Sequence, residues 1–109
     1  MRSKTRTASA PTRRSFRRSG RLIPRRPRGL RAGAVRLRRG GVMDWHSTRD
    51  REELLLIWRG VVRVEIKAAA GRLRRMRAAA GECLWLPART RHRVVTQAGA
   101  AYVYVTGPG

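Results

Sequence analysis

The sequence is poor in the features that staple, anchor or neutralise a small protein. Its single cysteine, Cys83, excludes an intramolecular disulfide. Cys83 lies in an apolar, strand-like run, where a cysteine is expected as a small buried hydrophobe and not as a reactive thiol. Carboxylates are scarce, six against 27 Lys and Arg, and the net charge is +21. Phenylalanine occurs once and histidine twice. No stretch shows helical periodicity. The run of large apolar side chains Leu54–Trp58 is far too short to span a bilayer, so no membrane span is expected. With 109 residues the chain holds one domain at most.

The charge is unevenly placed. Residues 1–39 contain fifteen Arg or Lys and no acid; residues 40–109 contain twelve, together with all six carboxylates. Large apolar residues in the first segment are few: Met1, Phe16, Leu22, Ile23, Leu30, Val35 and Leu37. Ordering a backbone costs roughly 1–2 kcal/mol per residue, which so few apolar groups do not offset under like-charge repulsion. Residues 1–39 therefore read as a disordered Arg-rich arm, with Val35–Leu37 as a candidate start of the first strand. Three roles compete for it. Phosphate contact with nucleic acid or anionic lipid is one, and an organellar transit segment is another. The third is an extension with no role of its own. Arg13-Arg14 is not followed by the apolar core that an export signal needs. The localisation expected is cytoplasmic.

From Gly40 onward the pattern has period two and is punctuated by glycine. Met43–Thr48 alternates, with Asp44, His46 and Thr48 on one face. Glu53–Trp58 reads as a strand covered on both faces and ended by Gly60, with Glu53, Leu55 and Ile57 on one side. Glu52 is expected outward and solvated. Val62–Lys67, Arg72–Arg77, Cys83–Leu86, His92–Thr96 and Ala101–Val105 complete about seven short strands. Such density implies an all-β sandwich or barrel, with residues 40–109 as the domain. Trp45, Trp58 and Trp85 are expected in the core or at an interface. Arg91 and Arg93 flank His92 and should point outward into solvent. The inner face of the last strand, Tyr102/Tyr104 or Val103/Val105, stays open.

Two stretches carry a more specific signal. Gly40, His46, Glu53 and Gly60 stand in GGVMDWHSTRDREELLLIWRG, and Gly81, Pro87 and His92 in GECLWLPARTRHRVVT. At these spacings the first stretch resembles cupin motif one and the second cupin motif two. Thr48 stands where the first motif has its second histidine, Arg89 where the second has glycine, and Thr96 where it has asparagine. The resemblance covers residues 40–105 and implies a small cupin-type β-barrel, a jelly-roll-like double sheet. It also implies a divalent metal held by His46, Glu53 and His92, with Thr48 in the place of a fourth ligand and suited to holding a water. Two imidazoles and a carboxylate suit iron, manganese, nickel or zinc without distinguishing them. Asp44 and Thr48 are the candidate pocket-lining residues.

Three functions follow as alternatives. The first is a metal-dependent oxygenase or isomerase acting on a small polar molecule. The second is a metal-free ligand-binding or sensing barrel without catalysis. The third gives the function to the basic arm, in nonspecific contact with nucleic acid, and makes the barrel a dimerisation core. A homodimer is expected in any case, because Leu54, Leu56 and Trp58 need cover that some seventy residues do not supply.

Overall fold

The structure is a computed structural model and describes residues 17–22, 29–67 and 69–108. These form eight strands in two antiparallel sheets that curl around one core. The strands are β1 (Gly20–Arg21), β2 (Arg31–Leu37), β3 (Val42–Ser47), β4 (Arg51–Lys67), β5 (Leu73–Ala79), β6 (Cys83–Leu86), β7 (Arg91–Val95) and β8 (Ala100–Pro108). The first sheet runs β1-β2-β8-β4-β6 and the second β3-β7-β4-β5. Among the described residues no helix is long and apolar enough to cross a membrane.

The strand common to both sheets is β4. Its first part pairs with β8 and β6, and its second with β7 and β5. The change of partner coincides with a bulge against β8 between Ile57 and Arg59. The bulge shifts the side-chain phase, so that Leu55 and Ile57 point inward before it and Val62 and Val64 after it. Gly60 then carries φ +76, and a Cβ there would collide with the Gly99 carbonyl oxygen. Only glycine combines that left-handed conformation with so close an approach of two backbones. The core closes around Val35, Leu55, Ile57, Val62, Val64, Leu86, Val94 and Tyr102.

Several expectations change. Gly60 bends one 17-residue strand where two shorter ones were expected. The arm boundary moves as well: Arg31–Leu37 pairs with β8 along seven residues, and Ala32, Ala34 and Val35 are buried. The folded domain thus starts before Gly40. Small residues hid this strand, since RAGAVRL offers little hydrophobic alternation; its backbone hydrogen bonds and tight packing supply what its side chains lack. The remaining arm residues, 1–16 and 23–28, lie outside the described residues. Cys83 is exposed on the outer side of β6 and not buried. Trp85 is 58% exposed and donates its indole N–H to the outward Glu52, so it is no core residue. Tyr102 and Tyr104 take the inner face of β8, and Val103 and Val105 the outer one.

Gly60→Ala forces a Cβ into the Gly99 carbonyl and is expected to cost about 2–4 kcal/mol. A thermal melt of the variant beside Gly40→Ala checks this. Gly40 also has positive φ (+71) but faces open space, so it should lose only about 1–2 kcal/mol.

Candidate metal centre

His46 on β3, Glu53 at the start of β4 and His92 on β7 come together at one end of the barrel. One ligand atom from each lies within 4.8 Å of the others. The elements explain the meeting. His46 and His92 are directly paired across β3 and β7, with ring centroids 4.3 Å apart. Glu53 enters from the first sheet and brings its carboxylate to 3.9 Å from His92 Nε2.

Each imidazole is held in the same way. His46 Nδ1 lies 2.8 Å from the Asp44 carbonyl oxygen, and His92 Nδ1 lies 3.2 Å from that of Thr90. A carbonyl only accepts, so both Nδ1 atoms carry the proton and Nε2 is left facing the site. His92 is fully buried, yet its Nε2 has no hydrogen-bond partner. A buried polar atom without a partner is costly and asks for a ligand. Orientation of the outer nitrogen by a carbonyl is the usual support of a metal-bound histidine. The donor set therefore fits a divalent ion.

The two lining candidates part company. A register shift in β3 between Met43 and His46 disrupts the alternation expected there. It sets Met43 and His46 on the cavity and leaves Asp44 exposed, where Oδ1 accepts its neighbour's amide, Trp45 N–H. Asp44 thus contributes its backbone carbonyl and not its carboxylate. Thr48 does line the cavity and is buried. Its hydroxyl donates to the Pro87 carbonyl and accepts the Thr90 N–H, which ties the end of β3 to the β6–β7 loop. That hydroxyl acts as a latch, with one acceptor position remaining beyond these two bonds. The other two departures are also structural. Arg89 sits at φ +59, which is why glycine suits the position. Buried Thr96 bonds the Val61 carbonyl and the Gly99 amide.

The cavity has a volume of about 370 Å³. Its apolar wall includes Val35, Met43, Val94 and Tyr102, and Arg31, Arg49 and Arg51 also line it. Arg51 spends its guanidinium on the Gly29 and Thr106 carbonyls and the Thr106 hydroxyl, bracing β8. Tyr104 reaches across Gly33, where any Cβ would strike the ring. Sequence reasoning passed over Arg31 because it sat in the segment read as arm, and over Arg51 because it stood between the two strands expected at Met43–Thr48 and Glu53–Trp58. The only available signal was their phase: Arg51 is two residues before Glu53, on the same strand face.

The fold is matched by solved structures. The cupin domain of Cnp3 from Schizosaccharomyces pombe superposes with a TM-score of 0.71 at 14% identity, over 84% of this chain and 64% of that one. Oxalate decarboxylase from Bacillus subtilis, described with Mn(II) centres, gives 0.67 at 23% identity, over 74% of this chain and 22% of that one. An oxalate oxidase gives 0.67 at 20% identity, over 73% and 42%. The chain thus spans less than two thirds of each of these proteins. No family model and no curated protein matches it. The architecture is that of a cupin β-barrel.

Burial sets the site's electrostatics. It raises the Glu53 carboxyl above 4.5, partly offset by His46, and lowers His92 below 6.5. Folded Glu53 keeps a proton that the unfolded chain releases, so stability is lost as pH rises from 4.5 through its raised value. Folded His92 refuses a proton that the unfolded chain takes, so stability is lost as pH falls through 6.5. In metal-free protein, Glu53→Gln removes the first loss. Its melting temperature should exceed the parent's near neutral pH, and the difference should vanish below 4.5, as scanning calorimetry across pH will record.

Proposed function

We propose that this cupin barrel holds one divalent metal ion between His46, Glu53 and His92 and binds a small carboxylate in the adjoining cavity. The observation that carries the reading is the buried, partnerless Nε2 of His92. It is supported by the carbonyl-locked imidazoles and by a carboxylate whose burial penalises its charge. When bound, the ion supplies Lewis acidity, or redox chemistry if it is manganese or iron, at coordination positions that three protein ligands leave open. Two of the fold's neighbours are named for oxalate, and glycolate is a substrate analogue of the oxidase. Here Arg31, Arg49 and Arg51 supply positive charge at the cavity to attract such an anion. Val35, Met43, Val94 and Tyr102 exclude water from its inner side, which strengthens each electrostatic contact. Thr48 keeps the loop beyond Pro87 closed over Thr90, and through the Thr90 carbonyl it steadies His92.

Elemental mass spectrometry on the full chain tests the metal. The full chain is needed because trimming to Gly40 would remove β2. After reconstitution with Mn(II), the parent should carry near-stoichiometric metal and the His46→Ala/His92→Ala variant almost none. Calorimetric titration with oxalate should then show at least tenfold weaker binding in Arg31→Gln at unchanged metal content. A parent without metal turns the reading to a metal-free binding barrel.

The barrel is also proposed to pair with a second copy. Leu54, Leu56, Val103 and Val105 lie side by side on the outer face of the first sheet, with Trp85 next to Leu54. Leu56 is 39% exposed there. A contiguous apolar sheet face of this kind is covered most simply by its own copy. Sedimentation should give the mass of two chains for the parent and of one for Leu56→Lys.

A further inference from the structure

The second sheet turns a very different face outward. Arg75 and Arg77 on β5, Arg63 and Lys67 on β4, and Arg91 and Arg93 on β7 form rows across adjacent strands. The carboxylates on this face are Glu65, at its centre, and the exposed Asp44 at one edge. Two of the directly opposed pairs, Arg63 with Arg77 and Lys67 with Arg91, carry like charge. Such pairs destabilise a sheet, and a surface under selection for stability alone avoids them.

Glu65 explains how the cluster is held. It is only 2% exposed, covered by the guanidinium groups that it binds. Arg75 donates through Nε to Oε2 at 3.1 Å, Arg93 through Nε to Oε1, and Arg63 Nε lies 3.5 Å from Oε2. The Arg93 hydrogen bond, with Arg75 in support, holds the Glu65 carboxyl below its ordinary value. Every one of these contacts uses Nε, and the side chains of Arg63, Arg75 and Arg93 remain 56%, 58% and 36% exposed. Arg93 is steadied further by the Trp45 ring, with its guanidinium carbon 5.0 Å from the centroid, and Lys67 Nζ lies 4.9 Å from the same ring. One buried carboxylate thus orients three forks whose geometry suits a phosphate group.

We infer that this face binds the phosphate backbone of a nucleic acid. The surface is separate from the cavity, which opens on the other side of the same sheet, and it stands whether or not a metal is held there. It also differs from contact through the arm, because its cations are fixed on paired strands. A continuous phosphodiester offers several negative charges to rows of cations and relieves both like-charge pairs at once. A lipid surface fits less well. The large exposed apolar residues of this face, Val42, Val61 and Leu73, lie on three different strands, and the middle of the face, around Glu65, is occupied by charged groups that do not enter a bilayer. Trp45 is engaged by two cations and does not offer a free ring for base stacking, so binding is independent of sequence.

The test uses the full chain and a short fluorescein-labelled DNA oligonucleotide, followed by anisotropy over a range of salt. Arg77→Gln/Arg91→Gln removes one member of each like-charge pair and touches neither Glu65 nor the cavity. Each lost phosphate contact lowers the salt slope by about 0.7–0.9, so a drop of about 1.5 and roughly tenfold weaker binding are expected. A control, Arg2→Gln/Arg6→Gln, has the same net charge and should lose less than threefold. The melting temperature of the face variant should stay level or rise, since repulsion is relieved. Equal losses in both variants, or none in the face variant, would overturn the proposal and leave net charge or the arm as the explanation. Loss of binding to phosphatidylserine vesicles with unchanged binding to the oligonucleotide would overturn it in favour of a membrane.

Discussion

One strand threading two sheets is the constraint on which this protein depends. β4 enters the first sheet at Arg51, bends at Gly60 and leaves the second sheet at Lys67. Its bulge reverses the side-chain phase, which has a consequence for its two glutamates. Glu53, an odd position before the bulge, points into the barrel. Glu65, an odd position after it, points out. Without the phase change both would face the same way, and Val62 and Val64 would lie in water. The close approach of Gly60 to Gly99 is the hinge of that arrangement.

The two glutamates show opposite answers to the problem of a carboxylate out of water. Glu65 is covered by three guanidinium groups, and hydrogen bonds favour its charged form. Glu53 is buried beside two imidazoles, and desolvation disfavours its charge. A carboxylate of the first kind is a structural anchor. The second kind is unfinished by itself, and the proposed cation would complete it.

Much of the architecture was legible in the sequence, and for a physical reason. Strands from Met43 onward announce themselves by alternation, and Gly40, Gly60 and Gly81 mark turns or bends because all three have positive φ. The likeness to the cupin motifs rested on those same positions. What the sequence hid was irregular or small. The bulge in β3 leaves no compositional trace, yet it decides that Asp44 faces away while Met43 faces in. β2 was read only at its end, Val35–Leu37, because the alanines and glycine before it pack closely without a hydrophobic signature. The role of Thr48 was invisible because its partners, Pro87 and Thr90, are some forty residues distant. Arg93 looked like an ordinary solvated charge, since only the pairing of β7 with β4 brings it to Glu65.

Both histidines are aimed by main-chain carbonyls two residues upstream, at Asp44 and Thr90. A carbonyl belongs to the backbone, so its aim does not depend on which side chain position 44 carries. Position 44 is therefore free to drift through mutation without misdirecting His46, as long as the bulge keeps its shape. At position 90 too the backbone amide and carbonyl make the hydrogen bonds and Thr48 supplies the hydroxyl, so burial, and not hydrogen bonding, limits which side chain fits there. The heritable information for ligand orientation is thus stored in chain path, and a lineage can lose nearly every recognisable residue around the site while the two imidazoles still point inward.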